Sequence, residues 1–287
     1  MEINSKRMNE QTDLLKNPFS VLISIYKNEN SAWFREALDS IFAQTVLPDE
    51  IVLVEDGPLT PELYEVIDEY KERYPIFNIV KNETNLGLGL ALRKGVEASK
   101  TEFLMRMDTD DIIPPCRFEH QMKKIQEGYD VVSCWSQLFV GPFDNVIAVK
   151  NRPEHHEDII KLAHRRSPIC HAGTLFRKSA LLKAGNYQHC KLYEDYHLVA
   201  RLIMSGAKFY NLQEVLYYVR TTPEQINRRS GLNYLKTELS FFKEFKKMGF
   251  FSTKDYLVNC TIRIVVRLMP GGVRQKVLTT IWNHKNN

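Results

Sequence analysis

Three carboxylates fall within four residues at Asp108, Thr109, Asp110 and Asp111, directly after the mostly apolar run Glu102–Met107. Carboxylates this close repel one another, so the chain must gain something by holding them together. In an extended segment, residues two apart point the same way, so Asp108 and Asp110 can face one ligand. A hard divalent cation relieves their repulsion, and Mg²⁺ typically takes one or two carboxylates plus substrate phosphate oxygens. The competing explanation is an acidic turn, with Asp111 capping the helix that follows Pro114–Pro115. A second acidic pair, Glu194–Asp195, opens the segment YEDYHLVARLIMSG, where the helix dipole alone would favour acids.

The elements that would position these acids alternate. FSVLISIY (Phe19–Tyr26) is a nearly continuous apolar run, as expected of a parallel strand buried on both faces. SAWFREALDSIFAQ places Trp33, Ala37 and Ile41 on one stripe and Phe34, Leu38 and Phe42 on the next, which is helical spacing. EIVLVEDG is a second strand, TPELYEVIDEYKERY a helix with Pro61 in its first turn, and IFNIV a third strand. GLALRKGVEAS is a helix and EFLMRM the fourth strand. This order predicts an α/β fold with a mostly parallel sheet and crossover helices, in which ligands bind at the carboxyl ends of the strands. Polar residues collect at those ends: Lys27–Asn28–Glu29, Glu55–Asp56, Asn82–Asn85 and Asp108–Asp111. Beyond Pro115 the pattern is less regular. Helices are expected in RFEHQMKKIQEG, HHEDIIKLAHRR and the segment opened by Glu194. A strand is expected in YDVVSCWSQLFV, and AGTLFRKSALLKAG reads as a strand and short helix closed by Gly185.

Two classes of enzyme could use a D-x-D at this place. Haloacid-dehalogenase phosphatases carry D-x-D-x-[TV], but Ile112 stands at the fifth position and the motif begins only at residue 108. The other class clamps a nucleoside diphosphate through a metal. Gly87, Gly89 and Gly95 lack the G-x-G-x-x-G spacing of a dinucleotide site. The first strand is not followed by the glycine-rich basic loop of a sugar-phosphate nucleotidyltransferase.

Taken in order, SVLISIYKNE, EIVLVEDG, NLGLGLALRKG, MRMDTDD and YEDYHLVARL resemble the family 2 glycosyltransferases, which have the GT-A fold and invert the anomeric centre. QTVLPDEIVLVEDGPL and LFRKS are similar to the amylovoran, exopolysaccharide and O-antigen group within it. The resemblance spans Phe19–Arg229. It implies a GT-A catalytic domain over 19–229, with a nucleotide-binding half at 19–115 and an acceptor-binding half at 116–229. A polar extension (1–18) precedes it and a basic helical segment (230–287) follows. It further implies that Tyr26, Glu29, Glu55 and Asp56 surround the nucleobase and ribose of a UDP-sugar, Asp56 accepting a uracil N–H. Asn85 lies in the same nucleotide-sugar segment. Asp108 would lie near the ribose, Asp110 would ligate Mn²⁺ or Mg²⁺ on the diphosphate, and Asp111 would assist the metal through water. Asp195 would be the catalytic base with Glu194 beside it. Three positions depart from the family pattern: Glu55 replaces an aspartate, Leu92–Arg93 replaces Arg-Asn, and Ala172 follows His171 where proline is frequent. Arg93 is thus either a phosphate contact or a solvated helix residue. His171 is either a contact to diphosphate or acceptor or a satisfied core histidine.

The expected reaction moves a hexose, galactose or glucose, from UDP to a saccharide on a polyprenyl diphosphate at the cytoplasmic membrane face. A D-x-D phosphohydrolase and a non-catalytic nucleotide-sugar binder are the rivals. No apolar run in the 287 residues reaches the length of a membrane-spanning helix. The N-terminus lacks a signal-peptide core, and Cys116, Cys134, Cys170, Cys190 and Cys260 are scattered as in a reducing cytosol. The net charge of +4 conceals an asymmetry, since residues 220–287 hold 13 Lys or Arg against 4 Asp or Glu. That basic segment points to an anionic surface. Arg263 and Arg267 share a helical face, with Tyr256, Ile264, Val265 and Leu268 around the rest and Arg274 and Lys276 after a Pro-Gly-Gly break. The helix either lies on a membrane or packs back on the catalytic domain. Nucleic acid is not expected, because interleaved aromatics and helix-turn-helix or RNP signatures are missing.

Overall fold

The computed structural model describes residues 17–190, 192–222 and 232–268. The expected N-terminal extension lies outside these residues except for its last two, as do 223–229, Arg274 and Lys276. The first half runs β1 (Phe19–Ile25), α1 (Ser31–Phe42), β2 (Glu50–Asp56), α2 (Pro61–Arg73), β3 (Phe77–Asn82), α3 (Leu88–Ala98) and β4 (Phe103–Arg106). The second half contains α4 (Arg117–Gln126), β5 (Val131–Phe139), β6 (Val146–Lys150), α5 (His156–Ala163) and a 3₁₀ turn at His171–Gly173. It continues with β7 (Leu175–Arg177), α6 (Lys178–Lys183), α7 (Glu194–Met204) and β8 (Phe209–Arg220), then α8 (Leu232–Lys247) and α9 (Thr253–Leu268).

The sheet has eight strands in the order β3-β2-β1-β4-β7-β5-β6, and β8 pairs with β5. The first four strands are parallel to one another, β7 runs antiparallel to both β4 and β5, and β8 runs parallel to β5. Alternation along each strand divides the core. Val21, Ile23, Ile25, Ile51 and Leu53 face α1, α2 and α4 on one side, while Leu22, Val52 and Val54 face α3, α6 and α7 on the other. Burial on both faces is the reason these strands read as unbroken apolar runs. Helix α3 lies close on the sheet because Gly95 has no side chain; a Cβ there would come within 2.3 Å of Leu22 Cδ1 and 2.9 Å of Val54 Cγ2.

The expected elements up to residue 206 form, with bounds shifted by a few residues. Two strands, β6 and β8, were not foreseen. In β8, FYNLQEVLYYVR mixes Asn211, Gln213 and Glu214 into an apolar stretch, and its register with β5 slips between Cys134 and Ser136. That irregularity hides the period of two. A third core cluster joins Ala163 of α5 and Tyr196 and Ala200 of α7 to Phe241, Phe242 and Phe245 of α8 and to Phe250–Phe251. The C-terminal helices therefore dock on the outer side of α7.

Candidate active site

The acidic edge is organised by β8. Ile112 bridges Tyr218 antiparallel. Tyr217 Oη accepts from the Asp108 backbone N–H at 3.0 Å, the Arg220 N–H donates to Asp111 Oδ1 at 2.8 Å, and Arg220 Nε donates to the Asp110 carbonyl at 2.9 Å. Arg220 also pairs with Glu36 of α1 and lies 5.1 Å over the Trp33 ring. One strand thus fixes the backbone of Asp108 and Asp110 and the carboxylate of Asp111. Beneath them, the fully buried Arg106 donates to Asp108 Oδ1, while Arg117 donates to the Arg106 carbonyl at 2.7 Å.

The three aspartates part company. Asp108 and Asp110 are partly open to solvent, whereas Asp111 is 3% exposed and turned inward to β8. One Asp111 carboxylate oxygen is thus engaged by β8. Asp111 also does not cap α4, whose N-cap is Cys116. Burial, then the charges of Asp108 and Glu29, raise Asp110 to about 7. Burial also raises Glu29, with a hydrogen bond from Thr109 opposing and Asp108 adding to the shift. Glu29, Asp108 and Asp110 are thus a set of hard oxygen donors whose mutual repulsion a divalent cation would relieve. Among the described residues no three His, Cys, Asp or Glu side chains form a closed metal cage. The arrangement fits a cation held by two carboxylates and completed by diphosphate oxygens.

At the ends of β2 and β3, Asp56 accepts through Oδ1 from Asn82 Nδ2 (2.9 Å) and the Leu86 N–H (2.8 Å), and through Oδ2 from the Gly87 N–H (2.9 Å). It holds the 82–87 loop, and its carboxylate is already engaged. Asn85 donates to the Asp56 carbonyl at 3.2 Å, and Glu55, also buried, pairs with the exposed Lys81 at 3.3 Å. Gly57 permits this close approach: its φ is +88° and an added Cβ would meet Asn85 N at 2.9 Å. Tyr26 is exposed beyond β1.

On the facing side, Tyr187 is fully buried and joins His171, with 2.6 Å between Oη and Nε2. Arg106, Asp195, Glu194 and Asp108 all act electrostatically on Tyr187, so both acidic clusters lie within charge-interaction range of its hydroxyl. His171 is held neutral, its pKa pushed well below the ordinary value by burial and by Arg106. Glu194 is raised by burial and by Asp195, and its Cβ lies 3.1 Å from where a Cβ on Gly89 would stand. Asp195 Oδ1 accepts from the Tyr196 N–H at 2.7 Å. Arg93 is tied to Glu97 (3.0 Å) and to the Tyr187 carbonyl (3.3 Å), so it braces α3 against the 186–188 segment. Sequence reasoning missed Arg106, Tyr187, Tyr217 and Arg220. Only Arg106 left a trace, as a charge inside an otherwise apolar strand.

A mostly parallel sheet with helices on both faces and two acidic clusters near one another is the layout of a GT-A nucleotide-sugar transferase. Residues 20–185 match the model "Glycosyl transferase family 2", and the chain belongs to that family. It is 37% identical over 260 residues to the amylovoran biosynthesis glycosyltransferase AmsE of Erwinia amylovora, covering 90% of this chain and 96% of that one. It is 35% identical over 259 residues to the UDP-Gal:alpha-D-GlcNAc-diphosphoundecaprenol beta-1,3-galactosyltransferase of Escherichia coli, covering 89% and 93%. Among solved structures, S. aureus TarS in complex with UDP-GlcNAc superposes with a TM-score of 0.62 at 19% identity, covering 79% of this chain and 66% of that one. The mannosyltransferase PcManGT of Pyrobaculum calidifontis, in complex with GDP-Man and Mn²⁺, gives 0.61 at 16% identity, covering 90% and 76%.

Proposed function

We propose that this glycosyltransferase moves a hexose, galactose or glucose, from UDP to a saccharide carried on a polyprenyl diphosphate, with inversion. The observation that carries the proposal is that Asp108, on the acidic edge, and the Glu194–Asp195 pair lie within charge-interaction range of one hydroxyl, that of Tyr187. A sugar hydroxyl is a poor nucleophile, so a carboxylate must take its proton as it attacks the anomeric carbon. We assign Asp195 that role, with Glu194 beside it. Asp108 and Asp110 would hold a divalent cation, which supplies compensation for charge developing on the leaving diphosphate. Arg106 and the β8 contacts keep these two carboxylates in place before substrate arrives. Glu29, Tyr26 and the Glu55–Asp56 edge with Asn85 form the expected wall for the nucleoside. A base on one side of the sugar and a leaving group on the other make a single in-line displacement.

The named galactosyltransferase relative acts on a diphosphoundecaprenol-linked sugar, which supports a lipid-carried acceptor for this chain. No described helix is long and apolar enough to cross a membrane. Helix α9 packs inward through Tyr256, Cys260 and Arg263, the last pairing with Glu238 at 3.4 Å. Outward it exposes Leu257 (57%) and Val265 (49%), with Ile262 and Ile264 between them. Packing back and facing a membrane are therefore compatible on opposite faces of one helix. We assign the outer face, with the lysines of α8, to the cytoplasmic surface of the membrane.

The test is calorimetric titration with UDP, with and without Mn²⁺, on wild type and Asp110→Ala, followed by a panel of UDP-sugars. Binding that needs both the metal and Asp110 supports the assignment. Nucleotide binding without turnover on any lipid-linked acceptor would instead favour a non-catalytic binder.

A further inference from the structure

Two loops meet beside α7, and each brings an arginine. Asn211 of β8 joins them, donating through Nδ2 to the Pro153 carbonyl at 2.6 Å and the Pro168 carbonyl at 3.2 Å. The first loop carries Arg152 and the second carries Arg166. Among the described residues neither guanidinium has an ion-pair partner, whereas their neighbour Arg263 of α9 is held by Glu238. Burial lowers the pKa of both, and for Arg166 the charges of Arg152 and Arg263 lower it further. Three cations are thus gathered, and among the described residues only Arg263 is held in an ion pair.

The same loops contain polar atoms that lack partners. Asn151 Oδ1, Arg152 Nε, Ser167 Oγ and Asn211 Oδ1 are buried without a hydrogen bond. Leaving one such group unsatisfied costs about 1–3 kcal/mol; the Arg152 Nε–H and the Ser167 hydroxyl are the donors among them, and an anion supplies the acceptor they lack. Arg152 lies close enough to Asp195 for their charges to interact. Ala163, just before the second loop, accepts from Tyr196, the neighbour of Asp195, so the loops lie on the side of the proposed base, while the leaving diphosphate is assigned to Asp108 and Asp110. An anion bound on this side would be attached to the acceptor.

We propose that Arg152 and Arg166, with the Ser167 hydroxyl, bind the diphosphate group of a prenyl-diphosphate-linked acceptor and so set its sugar against Asp195. Guanidinium forks match phosphate oxygens and keep their charge when desolvated. This inference rests on the glycosyl-transfer reading above, because it takes Asp195 as the base. The shared chemistry is a diphosphate, and its two sources, donor and acceptor, are separable.

The full chain is titrated calorimetrically with geranyl diphosphate in saturating UDP and Mg²⁺, with geraniol as the uncharged control. Wild type should bind the diphosphate saturably and discriminate against the alcohol. Arg152→Gln and Arg166→Gln should each weaken it about tenfold or more, Arg152→Lys should recover part of the loss, and UDP affinity should stay unchanged. Both glutamine variants should melt no lower than wild type, since each removes an uncompensated charge. If Arg152→Gln does not fold, Arg166→Gln carries the test. Unchanged affinity in the variants, or no discrimination by wild type, overturns the proposal. A parallel loss of UDP affinity also overturns it by moving the arginines to the donor site. If wild type binds no UDP, the glycosyl-transfer reading itself has failed, and titration of the nucleotide-free protein then reads the anion pocket alone.

Discussion

Asp195 and Asp110 are the residues on which the proposed reaction turns, and they should fail differently. Asp195→Asn keeps shape and hydrogen-bonding capacity but cannot take a proton. We expect kcat to fall by about 10²–10⁴-fold with UDP affinity intact; near-normal turnover would remove Asp195 from the mechanism. Asp110→Ala should leave the fold intact and abolish the metal dependence of UDP binding. His171 offers a separate test through pH. Its folded pKa lies below the unfolded value, so the unfolded chain binds more protons once the pH falls below about 6.5. Stability is then complete above that pH and is lost on acidification, at up to about 1.4 kcal/mol per pH unit until the folded pKa is reached. Urea unfolding of wild type and His171→Gln between about pH 7.5 and about pH 5 should show the steeper acid loss in wild type. Parallel profiles would mean that His171 titrates normally in the folded protein.

At the scale of elements, the first four strands were legible because a parallel sheet buried on both faces leaves unbroken apolar runs, and the acids follow each run directly. The Asp108–Asp111 cluster was legible for the same reason, whereas Glu194–Asp195 opens a helix and drew notice through the resemblance to the family's motif. What was not legible depended on partners far away in the chain. The inward turn of Asp111 is set by Arg220, 109 residues later, and β8 itself was hidden by its polar residues and slipped register. Engagement of Asp56 with Leu86 and Gly87 likewise exists only once the loop after β3 has folded back. Tyr217→Phe should therefore unsettle the Asp108 segment, at a cost of about 1–3 kcal/mol from the N–H left unmatched. Denaturant midpoints measure that cost, and a shift under about 0.5 kcal/mol would show that water replaces the hydroxyl. Gly95→Ala forces α3 off the sheet at Leu22 and Val54. A destabilisation of about 1–3 kcal/mol is expected from overpacking, with UDP affinity falling as the loop before α3 moves.

For the whole molecule, the aromatic cluster of Phe241, Phe242, Phe245, Phe250 and Phe251 fastens the basic helices to the outer side of α7. The face proposed to meet the membrane and the helix proposed to carry the base are thereby joined through one small core. Substituting Leu257, Ile264 and Val265 together with serine should reduce co-sedimentation with anionic vesicles while leaving UDP affinity unchanged. Vesicle binding that resists both this change and high salt would point to another surface, since each Lys or Arg near an anionic membrane contributes about 1 kcal/mol and is screened by salt. The reliance of the acids on β8 also has a consequence in time. A nascent chain that has only just released Asp108–Asp111 carries repelling carboxylates with no strand yet made to seat them. At roughly 5–20 residues per second, translation needs on the order of 5–20 seconds more to reach Arg220. Until then the ribosome-bound nucleotide half is a sheet without a working edge, so premature termination before β8 would release a compact but catalytically mute product.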